Sequence, residues 1–181
     1  MVQDAINPWA TFRFALGYPD ERHLEFFAEH LGRPPSSLET LRSEYIDWFE
    51  AGLPHPKCPL LEAYYLLNRP AGEVVLENKL FFQHFGLSMQ SKAAPDHLLT
   101  QLEFLSWLEH CIAVGNPESQ SLARARKDFV ERHLRHWIPR AAQSLANRGA
   151  GCYADVFAAL AAQVEEVVRE GASENPSEVQ A

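Results

Sequence analysis

The chain has 181 residues, which suits one domain with a core that needs neither a disulfide nor a metal to hold it. Hydrophobic residues make up 46% and charged residues 22%, usage that excludes a disordered polyelectrolyte. A net charge of −8 excludes a general nucleic-acid binder, whose phosphate contacts demand a basic face.

Helix punctuation runs along the chain, while hairpin turns and β-branched alternation are nearly absent. Asn7-Pro8 reads as a cap followed by a first-turn proline, opening a helix to about Leu16. Asp20 caps a second helix carrying Leu24, Phe27 and Leu31. Ser36 with Glu39 forms a capping box ahead of Leu38, Leu41, Tyr45, Trp48 and Phe49. Three prolines make Gly52–Pro59 a loop. Short helices are expected over Glu62–Asn68 and Glu73–Phe85. The longest begins at Pro95 and runs to about Val114, with Leu98, Leu102, Leu105, Leu108 and Ile112 on one stripe and apolar residues on its other faces, the mark of a central helix. Asn116-Pro117-Glu118 starts another, interrupted near Trp137 by Pro139, and Tyr153 to Val168 is the cleanest amphipathic pattern. The expected fold is all-α: a single globular helical bundle of about eight to ten helices over residues 1–170, with a disordered C-terminal tail at 171–181.

Cys58, Cys111 and Cys152 are odd in number and lack CxxC spacing, which fits a reducing compartment better than a disulfide framework or zinc site. The opening MVQDAINPWATFRF has no basic region before an apolar run, and no stretch approaches the roughly 20 apolar residues of a membrane span. A soluble, cytoplasmic protein is expected.

Catalytic motifs are scarce. No GxSxG, HExxH, GxGxxG or phosphate loop is present, and nine scattered glycines do not build a nucleotide cradle. His133 and His136 have ligand-like spacing, but the carboxylates of a helical metal site do not accompany them. A helix-end histidine and a solvent histidine are favoured instead. Asp96 and His97 after Pro95 read either as a helix start or as polar residues lining a groove. The aromatic run Tyr45, Trp48, Phe49 reads either as core or, since neighbouring residues on a helix point about 100° apart, as core plus one ring exposed to a peptide. From Asp4 to Glu50 there are nine acids and four bases, and from Arg124 to Arg148 seven bases and two acids. The two regions attract each other, or solvate their own helix faces, or offer an acidic surface to a basic partner.

Order and spacing carry more than any of these alone. Leu16-Gly17-Tyr18-Pro19-Asp20-Glu21, then Tyr45-Ile46-Asp47-Trp48-Phe49, then Pro54, Pro56 and Pro59 before Glu62-Ala63-Tyr64-Tyr65, follow one another along the first half. Phe82-Gln83-His84-Phe85-Gly86-Leu87 precedes Pro95-Asp96-His97-Leu98 and Leu102-Glu103-Phe104-Leu105. His133-Leu134-Arg135-His136-Trp137-Ile138-Pro139 and Tyr153 complete the series. From about Ala10 to Val168 this resembles the TorD/DmsD/NarJ-type chaperones that mature molybdenum-containing oxidoreductases. Departures are the absence of an acid just ahead of Pro95, and Trp48, Ala63 and Cys152 where the family has leucine, serine and phenylalanine.

The resemblance implies a non-enzymatic cytoplasmic chaperone. It would bind the twin-arginine leader or N-terminal segment of an apo-molybdoenzyme subunit, assist cofactor insertion and prevent premature export. It implies a client surface at Tyr45, Trp48, Phe49, Pro95, Asp96 and His97, with His133 and Trp137 nearby. No cofactor of the chain's own is implied; the client carries molybdopterin guanine dinucleotide. Other readings are a permanent helical adaptor or subunit of a redox complex, and a guanine-nucleotide-dependent assembly factor. The chain would be a monomer or homodimer, with no nucleic-acid partner.

Overall fold

Side-chain caps set the first helices. The computed structural model describes residues 7–31, 35–88 and 93–170; the expected tail lies outside them. Helix α1 (Pro8–Ala15) starts where the Asn7 side chain accepts the Ala10 N–H at 3.2 Å, and the same side chain donates to the Ser106 carbonyl at 2.8 Å. Helix α2 (Glu21–His30) has a reciprocal cap: the Asp20 carboxylate accepts from the Arg22 backbone, and His23 Nδ1 accepts the Asp20 N–H. At α3 (Leu38–Tyr45) the cap is Ser37, one residue past the expected Ser36. Ser37 is the residue with extended backbone, and its hydroxyl accepts the Thr40 N–H at 3.1 Å, while Ser36 donates only to the Thr40 hydroxyl.

The remaining helices are α4 (Glu62–Tyr65), α5 (Ala71–His84), α6 (Leu98–Ala113), α7 (Ser119–Phe129), α8 (Ile138–Arg148) and α9 (Cys152–Glu170). There are no strands among the described residues, only an isolated antiparallel bridge between Leu61 and His97. Helix α4 stops three residues short of expectation. The Tyr65 carbonyl left free at its end accepts from Arg140 Nη1 at 2.7 Å. Helix α6 starts at Leu98 rather than Pro95, because His97 is extended and its Nδ1 accepts the Leu99 N–H.

Two widened turns were not legible in the pattern. Helix α3 continues into a π turn, Ile46–Glu50, closed by Ala51 N–H to the Ile46 carbonyl at 2.7 Å, and α7 continues into another, Val130–Leu134, closed by Arg135 N–H to the Val130 carbonyl at 2.9 Å. A π turn adds a residue per turn, so successive side chains diverge less and both members of an adjacent pair can face inward. That is why Trp48 and Phe49 are both buried, which selects the core reading of the aromatic run over the one with an exposed ring.

Helix α6 lies between α1 and α7, and α9 packs against α8, the second π turn and α1. The core joins Trp9, Leu16, Phe27, Leu102, Leu105, Phe129, Trp137, Tyr153 and Phe157 across these helices. No ion pair among the described residues links the acidic N-terminal region to the basic one. Arg126 pairs with Glu109 and Glu170, Arg132 with Asp128 and Lys127 with Glu131, so the bases neutralise neighbouring helix faces. No described helix is long and apolar enough to cross a membrane.

Candidate functional site

The four-residue helix α4 is where most of the singled-out residues meet. Its first residue, Glu62, is fully buried. Its carboxyl Oε2 accepts from Gln101 Nε2 at 2.6 Å and Asn78 Nδ2 at 2.8 Å, and His133 Nδ1 lies 3.1 Å from both oxygens. Asn78 also donates to the Val74 carbonyl and accepts from Gln101. Glu62, Asn78, Gln101 and His133 are all inaccessible to solvent, and they come from α4, α5, α6 and the second π turn. A buried carboxyl is tolerated only when its lone pairs are met by donors. Here three side chains meet them, fixing the His133 tautomer as Nδ1–H toward Glu62.

The opposite end of α4 is held by a stack. The Tyr65 ring lies on Trp137 at 5.1 Å, and its hydroxyl is 3.2 Å from Cys58 Sγ. Cys58 N–H in turn donates to the Trp48 carbonyl at 2.8 Å. Burial pushes the Tyr65 hydroxyl far above the usual phenol range, with Cys58 adding to it, and burial also raises the Cys58 thiol. Both groups stay neutral, as a hydrogen-bonded pair in an apolar setting should.

The segment Pro95–His97 straps α4 from the side. Glu62 N–H donates to the Asp96 carbonyl at 3.0 Å, Leu98 N–H to the Leu60 carbonyl at 2.8 Å, and Ala63 N–H to the Asp96 carboxylate at 3.3 Å. Asp96 is only 4% exposed, so it does not stand free in an open groove: its carboxylate meets an otherwise orphaned amide of α4. His97 is half-buried, and burial lowers its pKa although Asp96 opposes the shift. The neutral ring is the form that can accept from Leu99.

Each expected site residue therefore has a place. Pro95, Asp96, His97, His133 and Trp137 surround α4, and Trp48 reaches it through its backbone. Tyr45 and Phe49 instead enter an aromatic cluster with Tyr153, at 6.1 and 5.0 Å between ring centres. Burial, with Glu50 nearby, pushes the Tyr45 hydroxyl up to about 12. The buried members are scaffold by position and do not form a common exposed surface. His136 is exposed while His133 is buried, because the π turn separates them, and no metal-holding cluster exists among the described residues.

What these residues support is an outward face. Leu61 is 38% exposed, Tyr64 37% and Leu67 85%, with the Tyr64 hydroxyl 3.0 Å from His55 Nε2. From the sequence, neither this exposed face nor the buried cluster of Glu62, Asn78 and Gln101 beneath it was singled out. Two signals were available: Asn78 and Gln101 interrupt the apolar stripes Val74–Phe82 and Leu98–Leu105, and a polar residue on a core stripe implies a buried partner.

Comparison with known proteins adds kinship. A family model described as "Nitrate reductase delta subunit" matches residues 15–143. The chain is 36% identical over 131 residues to a selenate reductase assembly chaperone protein of Thauera selenatis, covering 67% of this chain and 66% of that protein. It is 33% identical over 134 residues to a chlorate reductase assembly chaperone protein of Ideonella dechloratans, covering 71% and 69%. A perchlorate reductase assembly chaperone protein of Dechloromonas aromatica is 34% identical over 125 residues, covering 64% of this chain and 55% of that protein. A solved structure of a candidate redox enzyme maturation protein from Archaeoglobus fulgidus superposes with a TM-score of 0.46 at 24% identity, covering 70% of this chain and 86% of that one.

Proposed function

Because the chain belongs to the nitrate reductase delta subunit family, we propose that it is a dedicated, non-catalytic assembly chaperone for the apo catalytic subunit of a molybdenum oxidoreductase. It holds the subunit's twin-arginine leader or N-terminal segment in the cytoplasm until molybdopterin guanine dinucleotide is inserted, and so delays export. The observation that carries this reading is the set of three assembly-chaperone relatives at 33–36% identity.

The outer face of α4 is the surface that suits an extended apolar leader. Leu61, Tyr64 and Leu67 offer apolar area, and the half-buried His97 borders it. The chain's net charge of −8 favours a partner that begins with arginines. Contact on a small exposed patch gives reversible binding, which a chaperone needs, because ordering a flexible leader costs conformational entropy.

The test is maturation in the native host. Deleting the gene should leave the catalytic subunit made but lacking molybdenum cofactor, and re-expression should restore it. Normal cofactor content in the deletion strain contradicts the reading. The family's description as a delta subunit favours a second reading, a permanent subunit of a redox complex. Presence of the chain at one copy per finished, active enzyme would establish that alternative, and its loss on completion would remove it.

A further inference from the structure

Helix α4 is a single turn, and no capping motif closes its far end. Leu66 after it is neither helical nor left-handed (φ −97°, ψ 61°), no glycine stands at Leu67 or Asn68 to turn the chain, and the next main-chain bond is Arg69 N–H to the Leu66 carbonyl at 2.9 Å. The Tyr65 carbonyl is met instead by Arg140 Nη1 of α8 at 2.7 Å. About two turns further along α8, Arg148 Nη1 meets the Lys57 carbonyl in the loop 52–59 at 3.2 Å. That loop and α4 are joined across the exposed face, where the His55 ring lies 4.6 Å from that of Tyr64. Both arginines are exposed, and neither makes an ion pair with a described residue. Arg140 also stands in the first turn of α8, the positive end of that helix, with no acid in the turn. A cation is disfavoured there and favoured at a carbonyl end. The stability of α8 therefore does not account for Arg140, and the α4 carbonyl does.

Resting on the reading of α4 as the client's first contact, we propose that Arg140 is the positioning residue of that face, with Arg148 as a second bracket. The two guanidinium groups grip main-chain carbonyls of α4 and its neighbouring loop, and so fix where Tyr64 and Leu67 point. Their role is exerted through α4 and not on the client. A bond from an exposed side chain contributes little to global unfolding, which the buried core governs. One turn of helix has few other bonds, however, and frays when its closing partner is lost. Losing Arg140 is thus a local event.

The experiment compares Arg140→Met, which keeps the aliphatic stem without charge or donors, with Arg140→Lys, which keeps a cationic donor. The control is Arg135→Met, at an exposed arginine whose side chain bonds to no described residue. Hydrogen exchange in the full chain should quicken about tenfold at the Tyr65 and Arg69 amides in Arg140→Met. It should keep the wild-type rate at Phe157 and Leu160 of α9, with an unchanged urea midpoint. Capture of the apo catalytic subunit from the native host by the tagged chain should fall about fivefold, as expected when a contact face loses its order. The lysine variant should recover most of both, and Arg135→Met should alter neither. Wild-type exchange at α4 in Arg140→Met overturns the proposal, as does undiminished capture while exchange quickens. A loss of capture that comes with a lower urea midpoint and is not rescued by lysine makes Arg140 a stability residue and overturns it too. The exchange arm contains no client. A wild-type chain that captured no apo subunit would end the chaperone reading and leave the exchange result standing.

Discussion

The two buried centres of this molecule are held by opposite kinds of chemistry. Around α4, three polar side chains from three other elements share the Glu62 carboxyl, with Gln101, Asn78 and His133 all within 3.1 Å of it. Around Tyr153, by contrast, Phe27, Tyr45, Phe49 and Phe157 meet edge-to-face or stacked, and the one polar link is a long 3.4 Å bond from the Tyr153 hydroxyl to the Leu41 carbonyl. Apolar packing absorbs modest changes of shape at small cost, whereas a shared hydrogen-bond acceptor fails as a unit. The difference separates two kinds of support: the directional centre lies under the short helix whose outer face is exposed, and the aromatic one lies under Tyr18, which is 52% exposed and edge-on to Tyr45.

The sharpest way to break the contrast is Glu62→Leu. It keeps the volume but leaves the His133 Nδ1–H without its Glu62 acceptor and removes one of the two acceptors of each of the Asn78 and Gln101 amides. A cost of about 3–5 kcal/mol in urea unfolding is expected. Tyr153→Phe, which removes only the long hydroxyl contact, should cost about 1 kcal/mol in the same measurement. Equal costs would erase the distinction between the two centres.

Acid sharpens the comparison on the α4 side alone. Burial lowers the His97 pKa, so the unfolded chain takes up a proton near pH 6.5 that the folded ring resists. The contribution is present above that pH and is lost as pH falls through the folded value. Urea midpoints measured through this window should fall more steeply in wild type than in His97→Asn, which keeps an N-cap acceptor without a titrating ring. Parallel curves would show that the strap does not sense the proton. Alkali acts on the aromatic side. Tyr45 is held neutral up to about 12 and Tyr153 higher. Their stabilising share is complete below pH 10 and disappears as pH rises through the folded values, so phenolate absorbance should lag behind that of the unfolded chain. Smallest is Lys57→Met, which removes an ammonium 5.1 Å from the Trp48 ring and should cost no more than about 1 kcal/mol at this exposed site.

Helix identity was readable because caps and apolar spacing are local: Asn7, Asp20 and the Leu98–Ile112 stripe each act within a turn or two of themselves. What escaped is what depends on distant partners. Nothing in Val130–Leu134 announces a π turn, yet that turn puts His133 against Glu62, 71 residues away. Asp96 reads equally as a helix start or a groove residue until α4 is in place to use its carboxylate. The α4 surface was hidden for the same reason, since Tyr64 and Tyr65 are alike in sequence. Only the Trp137 stack and the Cys58 contact turn Tyr65 inward and leave its neighbour outside.

The most direct measurement compares Leu61→Ser with Tyr64→Ser, alone and combined, in a tagged chain used to capture the apo catalytic subunit from the native host. Thermal midpoints of these surface variants should match wild type, while the amount of apo subunit retained should fall at least tenfold in the double variant. Undiminished capture by a folded double variant would contradict the assignment of the α4 face as the client's first contact.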